Sequence, residues 1–267
     1  MKQRRKPSLY IGSGLTIFFI TVVIIGRFVT PYDPQAMDVS LKFAGISWAH
    51  PLGCDQFGRD ILSRLMVGGG NTLMIAASTT MIGAGIGIGI GGFSGYLGGL
   101  FDEVVMRLND TLFSFPSILL ALLLVGVMGP GTKQIIIALG ISFIPSFMRM
   151  ARSEFRKQKN MDYVRNAKLL GASTFRIVLF HMLPNSKSVL ITSVIIGFNN
   201  AILAEAGLSF IGLGISPPNP SIGGMLSEAQ GYLFSMPSYA FLIGGVFILF
   251  LVGVSLVAEN LGREVSC

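Results

Sequence analysis

Long apolar runs broken by short charged islands set the pattern of this chain. No Asp, Glu, Lys or Arg occurs in residues 7–26, 65–101, 111–132, 134–148, 188–204, 206–227 or 229–258. A hydrocarbon core of ~30 Å takes about 20 apolar residues as a helix, so most of these runs are long enough to cross one. The pattern predicts six spans, at roughly 9–29, 73–97, 107–128, 134–150, 188–211 and 236–258, the fourth being the shortest. Within the runs apolar residues follow one another without alternation, as in Ile17-Phe18-Phe19-Ile20. A membrane barrel would instead alternate polarity along strands of about ten residues. Helices satisfy their own backbone hydrogen bonds in lipid, so the expected fold class is all-α, a polytopic transmembrane helical bundle.

Punctuation between the runs predicts the connections. Residues 1–30 hold a basic start and a first span; with no small-residue cleavage site before Arg27-Phe28-Val29, an uncleaved span is expected. Residues 31–71 form an external segment in which Ile61, Leu62 and Leu65 suggest a short amphipathic helix at the interface. Residues 72–267 hold the remaining spans and a water-facing segment at 151–187. Phe115-Pro116 falls inside the third span, where proline removes a backbone donor and kinks the helix. Pro145 interrupts the fourth, and Glu103 and Arg107 stand at ion-pair spacing. In the water-facing segment Asp162 is placed to cap a helix through Leu170, and Gly171 suits the left-handed position after it. Ser173 then caps a second helix ending near Met182, before Pro184. Two short helices joined at a glycine make a knob with no core of its own. It carries Arg165, Lys168 and Arg176, and must rest on the bundle or enter another protein.

Composition agrees with the spans and adds orientation. Mean hydropathy is +0.68 with 12% charged residues, far from soluble composition. The net charge of +7 raises nucleic acid as a partner, but the charge is placed otherwise. Most of the 20 lysines and arginines precede the first span, fall between Arg149 and Lys187, or follow the last span. The positive-inside rule then sets both termini and the knob in the cytoplasm and explains the charge without nucleic acid. The same topology puts Cys54 and Cys267 on opposite faces, as it does His50 and His181. Neither a disulfide within the chain nor a His/Cys metal cluster is expected.

Three further features carry candidate chemistry. Gly87, Gly89 and Gly92 match G-x-G-x-x-G, but mid-span, without the strand and soluble helix that dinucleotide binding needs. Small residues at every fourth position, Gly87 and Gly91 among them, instead let helices approach closely, along a pathway that changes shape. Glu205 lies near the outer end of the fifth span, and an acid in a membrane is a functional candidate by default. No phosphate-binding G-x-x-x-x-G-K-[ST] loop occurs, so this chain is not expected to hydrolyse nucleotide itself.

Three blocks of sequence resemble the permease subunits of bacterial ABC importers, specifically the C-type permease of the dipeptide, oligopeptide and nickel family. His50-Pro51-Leu52-Gly53, with Asp55, Gly58, Arg59 and Asp60, matches the first. Tyr163, Val164, Ala167, Gly171, Ala172, Leu183, Pro184 and Asn185 match the cytoplasmic loop. Leu208-Ser209-Phe210, Gly212-Leu213-Gly214 and Pro217-Pro218 match the third. Arg165, Asn166 and His181 depart from the general importer signature, and Gly70 stands where relatives often have Arg. The resemblance implies a type I importer permease fold in the bacterial inner membrane. It makes Asp162, Tyr163, Arg165, Ala167, Lys168, Gly171, Ala172, Ser173, Leu183 and Pro184 a coupling element that docks on a separate ATPase subunit. Asp55, Gly58, Arg59 and Asp60 become external-loop or binding-protein contacts, and Gly87, Gly91, Pro116 and Glu205 pathway or gating candidates. The implied partners are a homologous second permease, two ATPase subunits holding ATP and Mg, an extracytoplasmic solute-binding protein and the lipid membrane. No cofactor or metal is expected on this chain. The cargo would be small peptides or nickel and metal chelates. An ion-coupled carrier is the alternative class, but it calls for mid-membrane charge relays and internal repeats. An intramembrane enzyme would need paired acids, a Ser/His pair or metal ligands within the spans.

Overall fold

A computed structural model describes residues 7–265, with side chains through residue 260. The basic residues Lys2 to Lys6, the Arg263 side chain and Cys267, used above for orientation and pairing, lie outside that description. Among the described residues every regular element is helical: α1 (Pro7–Phe28), α2 (Ile61–Leu97), α3 (Gly99–Phe113), α4 (Ser117–Met128), α5 (Thr132–Gln158), α6 (Asp162–Leu169), α7 (Thr174–Arg176), α8 (Leu183–Phe210), α9 (Ile222–Gln230) and α10 (Pro237–Val265). Five helices are long and apolar enough to cross a membrane, or six if the bent pair α3 and α4 is one broken span.

The expected six spans are met when that pair is counted as one, and several boundaries move. Helix α2 begins at Ile61, not near 73, and its 37 residues reach ~55 Å, well beyond a hydrocarbon core. Ile61 and Leu65 are buried in its first turns, so no separate interfacial helix exists there. At Pro116 the third span breaks outright, α3 and α4 meeting at 81°. Pro116 stands just outside α4 in an extended conformation, supplying the start of a helix where no donor is needed. The fourth span, expected to be the shortest, is the 27-residue α5, which runs through Pro145.

The core forms where α2 and α5 cross. Gly83, Gly87, Gly91 and Gly95 form one stripe on α2, and α5 fills the space their missing side chains leave. A Cβ on Gly87 would stand 2.7 Å from that of Phe147, and one on Gly91 would strike the carbonyl of Met148. Only glycine permits this approach. Ile75, Ala76, Leu139, Phe143, Ile202 and Ile243 are fully or nearly fully enclosed around it. Helices α1 and α10 pack antiparallel at the edge, Gly12 against Leu256 and the Phe19 ring 5.6 Å from that of Phe250.

Candidate functional site

The first candidate region is the loop between α1 and α2, folded down over the ends of α2, α9 and α10. Its backbone pairs with itself: the amides of Asp38 and Phe43 donate to the carbonyls of Phe57 and Asp55 at 3.1 and 3.0 Å. Asp60 caps α2, accepting from the Ser63 amide at 2.8 Å, while its other oxygen lies 2.9 Å from Nδ1 of His50. Asp55 accepts from the amides of Phe57 and Arg59 and from Nε of Arg59 at 2.6 Å. Arg59 and Arg64 both reach Glu228 of α9, at 2.6 and 3.1 Å. Two cations and two anions thus close a buried network tying residues 55–64 to α9. Asp55 is 0% exposed, Asp60 2% and Arg59 5%, and Gly58 is buried against the Asp38 backbone. Asp55, Gly58, Arg59 and Asp60, expected as external-loop or binding-protein contacts, lie in that loop with their side chains turned inward, where they hold its shape. Burial pushes the Cys54 thiol pKa up, and the Asp60 and Asp55 carboxylates beside it add to the shift, which keeps the thiol protonated.

The second region is the knob at the other end. Asp162 is the first residue of α6 and makes no side-chain cap; Met161 holds the cap position. Gly171, at φ +78°, ends α6 by a paired motif in which the Ala172 amide donates to Ala167 and the Gly171 amide to Lys168. The Ser173 hydroxyl accepts from the Arg176 amide at 3.4 Å, as a cap for the next helix. That helix does not stop at Pro184. A wide turn over Ile177–Met182 leads straight into α8, and Pro184, which has no amide hydrogen to donate, falls where the wide turn gives way to α8, so Thr174–Phe210 is one 37-residue rod.

The knob has two faces. Val164, Ala167, Ile177, Val178 and Met182 are buried against Tyr96 and Phe155 of the bundle. Tyr163 is half-buried, donating to Oε1 of Gln158 at 2.6 Å; burial pushes its pKa up. Asp162, Arg165, Lys168, Gly171, Ser173 and Pro184 are exposed, Ala172 and Leu183 half-buried. Beside them Leu169 and Leu170 are 85% and 87% exposed, and Phe175 58%. These bare apolar side chains at the tip were missed from sequence, although two adjacent leucines before a helix-ending glycine were visible there.

The pathway candidates separate. Gly87 and Gly91 lie in the α2–α5 seam, and Pro116 sits exposed at the α3–α4 break. Glu205 is fully buried in α8; one carboxylate oxygen accepts from Ser209 at 2.6 Å and the other has no hydrogen-bond partner. An apolar groove of 640 Å³ runs between α2 and α8, lined by Ala84, Gly89, Phe93, Phe155, Val178 and Leu183. It meets the knob's underside directly, since Phe155 and Val178 belong to both. Among the described residues no group of His, Cys, Asp and Glu is arranged to hold a metal ion.

Comparison with known proteins gives the same picture. Residues 87–266 match the family described as binding-protein-dependent transport system inner membrane component. The dipeptide transport system permease protein DppC of Haemophilus influenzae is 33% identical over 251 residues, spanning 90% of this chain and 85% of that one. The glutathione transport system permease protein GsiD of Escherichia coli O6:K15:H31 is 35% identical over 259 residues, spanning 97% and 86%. In fold, the chain is similar to the inward-facing MetNI methionine ABC transporter, with a TM-score of 0.62 and 17% identity over 76% of this chain and 96% of that one. On the family match and on relatives a third identical along most of its length, this multi-pass chain belongs to the binding-protein-dependent inner-membrane components, as an ABC importer permease subunit related to the peptide systems.

Proposed function

We propose that this chain forms one half of the translocation pathway of an ATP-driven importer of short peptides, and that residues 162–184 are the lever through which a separate ATPase subunit moves it. A homologous permease completes the pathway. Two ATPase subunits hold ATP and Mg, and a solute-binding protein delivers cargo at the end bearing residues 29–60. Both termini and the knob face the cytoplasm, in keeping with the clustering of basic residues.

The observation that carries this reading is the continuity of the knob with α8. A push on Leu169, Leu170 or Phe175 passes into a single rod ending at Phe210, and the groove between α2 and α8 shares Phe155 and Val178 with the knob. Alternating access then needs only that the ATPase pair bind the knob differently in its open and closed states. Short peptides are favoured over bare nickel because the relatives' names are those of dipeptide and glutathione permeases, and the groove offers apolar lining rather than metal ligands.

The test is reconstitution with the second permease, the ATPase subunits and the binding protein, followed by uptake of labelled dipeptides, glutathione and a nickel chelate into vesicles. Uptake of a peptide that requires ATP, with hydrolysis that persists but no longer drives uptake in Gly171→Leu, supports the reading. Uptake that survives ATP depletion and collapses with an ion gradient would mean an ion-coupled carrier instead.

A further inference from the structure

Trp48, the single tryptophan of the chain, is 104% exposed, and Phe234 is 100% exposed. Ile46 joins them at 74%. The mechanism proposed above uses none of these side chains. Their position follows from the helices beneath. The Phe19–Phe250 contact falls near the middle of α1 and of the apolar window of α10, and so marks the membrane mid-plane. Counting outward at 1.5 Å per residue, Phe28 stands ~14 Å above it and Pro237 ~20 Å. A hydrocarbon half-thickness of ~15 Å, and of ~20–22 Å with headgroups, puts Phe28 at the hydrocarbon edge and Pro237 in the headgroup layer.

The loop is tied to that height at two points. The His50 ring stacks on Tyr32, just past α1, at 4.5 Å. Phe43 meets Tyr232, just before α10, edge-on at 5.0 Å. The Ser47 amide donates to the His50 carbonyl and the His50 amide to the Ser47 hydroxyl, closing a tight turn with Trp48 at its tip. The ends of the two helices are bare and apolar as well, with Phe28, Val29 and Phe241 82%, 68% and 74% exposed. An indole with an apolar body and one donor suits the boundary between acyl chains and headgroups better than either water or hydrocarbon.

We infer that the Trp48 turn and Phe234 form an anchor set in the phospholipid headgroup layer, on the side of the membrane where residues 29–60 emerge. The anchor would hold the loop at a fixed height while the bundle moves beneath it. The inference rests on the chain's place in the membrane and is independent of the peptide reading.

Because Trp48 is alone, its fluorescence reports this site without interference. The full chain is reconstituted in phosphatidylcholine vesicles, part of whose lipid carries a spin label on the headgroup, and is compared with aqueous iodide as quencher. The expected result is loss of most Trp48 emission with the labelled lipid and little loss with iodide. Moving the probe with Trp48→Phe and Phe234→Trp together should give the same pattern. Strong iodide quenching without lipid quenching at both positions would overturn the inference. So would iodide quenching that disappears only when the solute-binding protein is added, which would assign the patch to that protein.

Discussion

The two ends of this bundle are built on opposite plans. At the loop end, the charged groups of one network are turned inward: Asp55, Arg59 and Arg64 are nearly or fully buried, both arginines pair with Asp55 and Glu228, and Asp60 is shared between His50 and a helix cap. At the knob end, charged and apolar groups alike are turned outward, with Arg165, Lys168, Leu169 and Leu170 bare. A closed network is rigid because opening it strands a charge. An open apolar tip gains only when something covers it, by roughly 1.5–3 kcal/mol for each large side chain removed from water. The charged network of the first end is closed on itself, whereas the tip of the second is made to be completed.

If that contrast is right, substitutions at the loop end act on stability and those at the tip on function. The largest effect is expected from Asp55→Ala. It removes the acceptor for two amides and the carboxylate paired with two guanidinium groups, and leaves Arg59 and Arg64 buried with Glu228 as their one anionic partner. Breaking a buried pair costs about 3–5 kcal/mol, so purified protein should unfold at a clearly lower temperature in detergent. Glu228→Gln should cost less, because Glu228 is 29% exposed and Asp55 still pairs with both arginines. An unchanged unfolding midpoint in Asp55→Ala would show that the network adds no rigidity.

The α2–α5 seam comes next, and it tests packing against pathway on one helix. Gly91→Val should cost about 1–3 kcal/mol, because its new side chain meets the Met148 backbone and the helices must part. Gly89 has nothing within 4 Å and lines the groove, so Gly89→Val should leave the unfolding midpoint near its starting value. If the groove is part of the pathway, Gly89→Val should still lower ATP-dependent uptake. Equal midpoints for the two variants would remove the seam from the account of the core.

How much of this could be read from sequence follows from what charge can mark. Charge-free runs located every span because an unpaired charge in lipid is expensive. They misplaced the start of α2 because Arg64 is paired, and a neutralised charge marks no boundary. The same pairing hid the loop's rigidity: Asp55 and Arg59 were visible as a motif, but the second anion that holds Arg59 and Arg64 lies on α9, far along the chain. Glu228 did leave a trace, as a solitary acid between the charge-free runs 206–227 and 229–258. Glu205 left the same trace, and it proved fully buried. The knob was legible down to its glycine, because caps and left-handed turns are local chemistry. Its merger with α8 was not, since proline reads as a stop unless the turn before it is known to be helical.

At the tip the expected stability changes shrink while the functional ones grow. Leu169→Ser with Leu170→Ser should leave the unfolding midpoint unchanged, since both side chains already face water. In the assembled transporter, ATP-dependent uptake should fall sharply. A lower midpoint would mean that the leucines support the knob itself. The smallest effect is expected from Ser173→Ala. Loss of such a cap costs about 0.5–2 kcal/mol, and the 3.4 Å bond to the Arg176 amide in an exposed turn points to the lower end. Global unfolding should barely register it. Hydrogen exchange should, with faster exchange confined to the amides of Thr174 to Arg176. Faster exchange reaching Ile177 to Met182 would make Ser173 the element that starts the rod. Confinement would leave that task to the Gly171 turn and to the buried contacts of Ile177 and Val178.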